Sequence, residues 1–315
     1  MEFGVRLPGL GGRYTPEAIV RMAQRAEELG YDALWAPDHI VIPVQFESRY
    51  PYSYSGRFPF PADAPFPEAH TLLSFLASVT RRVRLGTSVM IMPLRNPVLN
   101  AKMLATLQYL SGGRLVLGAG VGWLREEGEA VGVPWDHRGQ RTDEHIQLMR
   151  ALWTQEDPRF EGRFYRIAGV RCEPRPPVPP PVWVGGHGEP ALRRVARLGD
   201  GWITAGGTPD EIDPLWQQVQ QLAQEHGRDP ASITFAVQAL LRLRPNGGGE
   251  EASTTAGDDR IMALRGSPSR VTELVDEFRR VGVQHLILVP PFRPGPEVVL
   301  EMLELFAREV RPAFV

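Results

Sequence analysis

The chain has 315 residues, a formal net charge of -2 and 43% hydrophobic residues, which is ordinary for a globular protein. Nearly balanced charge argues against a nucleic-acid or other polyanionic partner. The single cysteine, Cys172, excludes an internal disulfide and any cysteine metal cluster.

Lys102 is the sole lysine, so arginine supplies nearly all the positive charge. Lysine Schiff-base chemistry is therefore not expected, and anions must be met by arginine or by backbone N–H groups. No apolar run reaches membrane-spanning length, and MEFGVRLPGL lacks a signal-peptide layout. A cytoplasmic protein without a membrane partner is expected.

Residues 2–7 (EFGVRL) read as a first strand. Thr15 caps a helix with Pro16 at its first position, and Ile19, Met22, Ala26 and Leu29 form its apolar stripe. Residues 31–37 (YDALWAP) are a second buried strand that delivers Asp38 and His39 at its C-terminal end. A Pro- and aromatic-rich stretch without a period covers 42–67, followed by a helix (68–80), a strand (83–91) and a helix (97–110).

The segment 112–127, GGRLVLGAGVGWLREE, reads as a turn, a buried strand (114–119), a glycine loop and a helix start. Glycines 118, 120 and 122 let a flat or anionic group approach the backbone, and free N–H groups of the next helix suit a phosphate. The spacing is G-x-G-x-G rather than the dinucleotide fingerprint, and a tight ligand-free turn accounts for this loop equally well.

A helix follows at 140–152, half of a small hairpin at 161–167 and a stiff proline-rich connector at 174–181. Strand 182–184 runs into the glycine loop 185–188 and a helix (190–198). Strand 201–205, helix 210–226 and strand 233–243 come next. The polar stretch 245–259 reads as a mobile loop. A helix from Ser267 and Pro268 to Val281, a strand (284–289) and a helix (296–310) complete the chain.

Three junctions, ELGYDALWA, RLGDGWITA and RVGVQHLIL, share a helix end, a glycine stop and an apolar strand. Iterated βα units follow, and eight are counted. With about 250 residues for a bare barrel, the expectation is one (β/α)8 TIM barrel over residues 1–315, with insertions after strands 2, 4 and 7. A doubly wound open sheet is the alternative.

In a barrel, the C-terminal strand ends form the working face. They present Asp38 and His39, Thr87 and Ser88, glycines 120 and 122 with Glu126, the loop 185–188, and Thr204. Two glycine loops, one histidine and two carboxylates suit a planar, anionic cofactor better than a hydrolytic centre. No H-E-x-x-H or G-x-S-x-G motif occurs, and the first strand lacks an H-x-H pair. No metal site is expected. Asp136-His137 and Asp143-Glu144-His145 read as solvated faces, and Asp38 with Glu126 or Glu127 leaves a glycosidase pair open until their separation is known.

Taken in order, these motifs resemble the luciferase-like monooxygenase superfamily, whose members bind FMN or the deazaflavin coenzyme F420. The resemblance rests on Trp35-Ala36-Pro37-Asp38-His39, on Leu85-Gly86-Thr87-Ser88-Val89 with Asn96-Pro97, and on GAGVGW with Glu126. It continues in Trp183-Val184-Gly185-Gly186, Gly199-Asp200-Gly201-Trp202 and Gly266-Ser267-Pro268. The GWL motif (122–124) leading to GVP (132–134), with the long segment 42–67, looks most like the deazaflavin-dependent branch.

The resemblance implies a hydride-transferring oxidoreductase using coenzyme F420 and a small organic substrate. An FMN-dependent monooxygenase fed by a separate flavin reductase, and a flavin-binding relative without turnover, are the alternatives. It further implies that Ser88-Val89, beside Thr87, is a non-proline cis peptide backing the tricyclic ring. Asp38 would contact the ring and, with His39, carry the catalysis, His39 handling the proton. Gly120, Val121, Gly122 and Glu126 would line the cofactor's linker, while Gly185, Gly186 and His187 take its phosphate. A homodimer is also implied.

Two positions depart from the pattern. Sugar-phosphate dehydrogenases of this group carry an acidic residue where Trp123 stands, and lysines that this chain lacks. The tryptophan that often follows the Asp-His pair is absent, with Val44 in that region. The aromatic segment 42–67 reads as a lid that closes over an apolar or aromatic substrate, or as a packing surface.

Overall fold

The computed structural model describes residues 1–9, 12–244, 260–291 and 295–315. Its strands and helices alternate: β1 (Glu2–Arg6), α1 (Pro16–Glu28), β2 (Ala33–Ala36), α2 (Ala69–Val79), β3 (Arg84–Thr87), β4 (Met90–Ile91), α3 (Pro97–Leu110) and β5 (Leu115–Gly120). Then follow α4 (Arg125–Ala130), α5 (Arg138–Thr154), β6 (Phe160–Glu161), β7 (Arg166–Ile167), β8 (Val182–Gly185), α6 (Glu189–Leu198), β9 (Gly201–Ala205) and α7 (Pro209–Glu225). The last elements are β10 (Thr234–Leu243), β11 (Ala263–Gly266), α8 (Pro268–Arg280), β12 (His285–Val289) and α9 (Pro296–Glu309).

Parallel pairing runs β1-β2-β3-β5-β8-β9-β10-β12 and returns from β12 to β1, so the eight strands close into a barrel. This is the expected (β/α)8 fold, and the open-sheet alternative fails on the β12-β1 pairing. Helix starts obey local capping. Thr15 Oγ1 accepts from Ala18 N at 3.3 Å, and Asn96 Oδ1 accepts from Val98 N at 3.0 Å, each ahead of a proline that needs no donor partner.

Strand alternation decides what enters the barrel. Along β1, Phe3 and Val5 join the large cluster between sheet and helices, while Gly4 and Arg6 face inward. The interior is filled by Trp35, Trp183 and His285, with Trp35 and Trp183 centroids 5.4 Å apart. A Cβ at Gly4 or Gly86 would collide with the Trp35 indole, so the absent side chains make room for the ring. Trp35 Nε1 donates to His285 Nε2 at 3.1 Å, and the other imidazole nitrogen meets Glu2 Oε2 at 3.1 Å. Arg84 shares that carboxylate.

Four local expectations change. Strand 83–91 is interrupted at the cis Ser88-Val89 bond, which separates β3 from β4. The segment 161–167 belongs to a complete two-strand hairpin with Phe160, not half of one. β11 adds a parallel strand to the end of β10 that no sequence signal announced. Asp143, Glu144 and His145 are not a solvated face: His145 is fully buried, Asp143 pairs with the buried Arg194, and Glu144 accepts the backbone N–H groups of Arg163, Phe164 and Tyr165. The insertion expected after strand 7, at 245–259, lies outside the described residues.

The hydrogen bond from His285, opposed by burial and aided by the Arg84 charge, brings the Glu2 carboxyl down to about 2. A depressed folded pKa stabilises above the ordinary carboxylate range and is lost as pH falls through the folded value. Glu2→Gln should therefore lower thermal stability at pH 7, by about 1 kcal/mol after discounting solvent screening of this half-exposed group. The difference from the parent protein should vanish near pH 2; a gap independent of pH would contradict the assignment.

Candidate active site

A cavity of about 490 Å³ opens at the C-terminal ends of the barrel strands. Its flat wall is built by Val89. A Cβ at Gly120 would lie 2.5 Å from Val89 Cγ2, and one at Gly185 would lie 2.9 Å from Val89 Cγ1. Three neighbouring strand ends thus approach until one valine fills the space two side chains would need. Ser88, in the same wall, has a buried hydroxyl without a hydrogen-bond partner among the described residues. Val121, Gly122, Gly186 and His187 extend the lining.

Asp38 and His39 leave β2 side by side but do different work. Asp38 Oδ1 and Oδ2 each accept from Arg95 at 2.7 Å, and Oδ2 also accepts from Ile91 N at 2.8 Å. Its side chain has no exposed surface. Asp38 is also among the residues that line the cavity, and its carboxylate anchors the rim there. His39 lines the cavity, and its Nδ1 lies 2.8 Å from Glu127 Oε2. Nothing among the described residues hydrogen-bonds to its Nε2.

Thr87 and Glu126 do not reach the cavity. Thr87 Oγ1 donates to Gly118 O at 2.8 Å and ties β3 to β5. Glu126 Oε1 accepts from Glu47 N at 2.7 Å and from Ser48 N at 3.1 Å, so it holds the 42–67 segment. Asp38 lines the cavity but neither Glu126 nor Glu127 does, so among the described residues neither of the two candidate carboxylate pairs faces a substrate together. The glycosidase option ends there.

The 42–67 segment covers the cavity with aromatic rings. Tyr50, Phe58 and Trp123 sit edge-on or tilted at 5.2 Å from one another, and Phe66 is 5.3 Å from His39. Tyr52 packs 5.8 Å from His187, and its backbone carbonyl accepts from Arg260 N at 3.0 Å.

At the other end, the loop 185–188 and the first residues of α5 and α6 share the lining. Arg138 opens α5 there, stacked 4.8 Å from the Trp135 ring and without an ion-pair partner among the described residues. Burial, with the nearby Arg125 charge, pushes its pKa down. Burial and the Arg260 charge also lower that of His187, which is neutral at pH 7. Backbone N–H groups, helix N-termini and one guanidinium together suit a phosphate.

Sequence reading missed Arg138, Glu127 as the partner of His39, and two inward residues, Arg6 and Gln238. Arg6 Nη1 lies 3.5 Å from Gln238 Oε1 across the mouth. The signal for both was strand alternation, since each follows an inward small residue by two positions. Among the described residues, no group of three or more His, Cys, Asp or Glu side chains is placed to hold a metal ion. No helix of the described residues is long and apolar enough to cross a membrane.

Comparison with known proteins agrees with this architecture. Residues 1–253 match the luciferase-like monooxygenase family. An uncharacterised protein of Mycobacterium tuberculosis is 39% identical over 235 residues, covering 72% of this chain and 81% of that protein. An F420-dependent glucose-6-phosphate dehydrogenase of Amycolatopsis mediterranei is 33% identical, covering 73% of this chain and 66% of the dehydrogenase. Among solved structures, a monooxygenase from Streptomyces bottropensis superposes over the full length of both chains with a TM-score of 0.81 at 24% identity. An F420-dependent secondary alcohol dehydrogenase covers 100% of this chain and 99% of its own with a TM-score of 0.79 at 19% identity. The chain belongs to the luciferase-like monooxygenase family, whose oxidoreductases share this barrel.

Proposed function

We propose that the protein transfers a hydride between a small apolar or aromatic substrate and coenzyme F420 bound at the barrel rim. The observation that carries this reading is the flat wall of Ser88-Val89, Gly120 and Gly185, flanked by a phosphate-suited corner and by His39 with Nε2 uncommitted. The residues fit such a group: side chains are absent where a planar ring needs contact, and the unpartnered Ser88 hydroxyl stands ready for a ring heteroatom. Val121 and Gly122 line the path from wall to corner, where Gly185, Gly186, His187 and Arg138 would hold the phosphate.

When bound, the deazaflavin supplies a carbon centre that accepts or returns a hydride. His39 Nε2 takes the proton of the substrate hydroxyl as hydride leaves the substrate carbon, and returns it in the opposite direction. Asp38 acts at one remove, by fixing the rim through Arg95. The lid keeps water from the reacting atoms. A sugar phosphate does not suit this site: Trp123 stands on the lid side, and Lys102 bonds to Glu173 O outside the cavity. The exposed apolar residues of α2 and α3 (Phe75, Leu99, Tyr109 and Leu110) are where we place contact with a second copy.

The similarity to F420-dependent relatives supports the deazaflavin. The fold shared with an FMN-bound Baeyer–Villiger monooxygenase, TM-score 0.76 at 17% identity, keeps an FMN enzyme with a partner reductase as the second reading. Titrating the cofactor-free protein with F420 and with FMN, followed by tryptophan fluorescence, should show tighter F420 binding. Preference for FMN would overturn the choice. In an F420-coupled assay of the active enzyme, His39→Asn should lower kcat by about 10²–10⁴-fold; unchanged turnover would remove His39 from the chemistry.

Replacing both Tyr52 and Phe58 by alanine should raise KM or lower kcat if 42–67 is a lid, and no change in either would make it a packing surface only. Burial opposes the charge of Glu126, but hydrogen bonds from Ser48 and from Glu47 N outweigh it and hold the carboxyl below its usual range. The lid attachment should therefore persist at neutral pH and loosen only in acid, as pH falls through that lowered value. The 19F signal of Trp123 in 5-fluorotryptophan-labelled His39→Asn protein, assigned with Trp123→Phe, should stay constant from pH 8 to about 5 and change below. A transition near neutrality would contradict this.

A further inference from the structure

Glu127 is the third residue of α4 and almost wholly buried. Both of its oxygens are committed. Oε1 accepts from Ile40 N at 2.6 Å and from Val41 N at 3.3 Å, and Oε2 lies 2.8 Å from His39 Nδ1. Backbone N–H groups can only donate, so Oε1 is fixed as an acceptor and the group cannot turn over. A carboxylate has no hydrogen to offer at Oε2 either. The remaining neighbours of the imidazole are aromatic faces and edges: Phe58 at 5.4 Å, Phe66 at 5.3 Å and Trp123 at 6.3 Å between centroids. None competes for the ring nitrogens.

We propose that Glu127 is the positioning residue that places the neutral His39 proton on Nδ1, so that Nε2 enters the cavity as a hydrogen-bond acceptor. The substrate group that docks there is consequently a hydrogen-bond donor, a hydroxyl rather than a carbonyl, whenever the ring is neutral. When the ring takes up a proton, the adjacent carboxylate balances its charge in a water-poor site. This use of the pair rests on His39 being the proton handler argued above. The tautomer itself does not, because it follows from contacts present without cofactor or substrate.

The geometry makes a sharp test available. In Glu127→Gln the amide oxygen must stay on the Ile40 and Val41 N–H groups, which leaves the amide NH2 facing His39 Nδ1. A donor there requires a lone pair on Nδ1, so the proton moves to Nε2 and the acceptor facing the cavity becomes a donor. Shape is nearly unchanged while the tautomer inverts.

Histidine-selective 15N labelling of the full chain without cofactor, at a pH where the ring is neutral, would read this directly, with His39→Asn used to assign the signals. In the parent protein the downfield resonance of the unprotonated nitrogen should belong to Nε2. In Glu127→Gln it should shift to Nδ1, and in Glu127→Asp, which keeps the charge, it should remain on Nε2. Affinity for F420 should change less than about twofold in Glu127→Gln, since the carboxylate is outside the cofactor wall. A parent spectrum with the proton on Nε2, or the same tautomer in the parent and the glutamine variant, would overturn the proposal. If Glu127→Gln fails to fold, the parent and aspartate spectra still decide it. Loss of F420 preference with the expected tautomers would count against the cofactor reading alone.

Discussion

Val89 occupies the space that side chains at positions 120 and 185 would need, and the working face of the molecule depends on that exclusion. Methyl contacts to two glycines bring three strand ends together and leave a wall without protruding side chains. A planar ligand can lie against such a wall over its whole face, whereas a methyl group at either glycine would push Val89 into the cavity. The Ser88 hydroxyl and the 185–188 loop then mark the polar and anionic ends of the same surface.

The opposite side of the cavity is organised by a helix of six residues, α4. Its first turn carries adjacent glutamates that reach different targets. Glu127 holds His39 and the backbone just before the 42–67 segment, while Glu126 holds that segment at Glu47 and Ser48. The same helix begins three residues after Gly122. The Val89 wall, His39 and the 42–67 segment are therefore joined through a few hydrogen bonds, most of them to backbone N–H groups. Asp38 makes a parallel joint on the other flank, where Arg95 links it to Glu68 at 2.8 Å, the capping residue of α2.

Much of this was legible beforehand because its causes are local. Glycine stops between helices and buried strands mark each βα unit, and Asp38 and His39 announce themselves by ending a strand that is otherwise apolar. What escaped depends on direction around an element. Glu126 and Glu127 differ by about 100° around the helix axis, so the sequence holds both as candidates and only the course of the lid decides between them. The ion pair of Asp38 was not legible because Arg95, its partner, lies far along the chain and reads as a loop residue. Arg6 and Gln238 were within reach of strand alternation, but only once β1 and β10 are known to line a closed barrel. The four-residue β11 had no signal of its own; its partner strand creates it.

The central claim is that the rim grips a flat redox cofactor between the Val89 wall and His39. A crystal structure of the protein with F420 bound tests this most directly. The account predicts one face of the ring in van der Waals contact with Ser88-Val89, the phosphate on the 185–188 loop beside Arg138, and His39 Nε2 facing the open side of the ring. A ring bound away from the Gly120 and Gly185 wall, or a phosphate outside that loop, would contradict it.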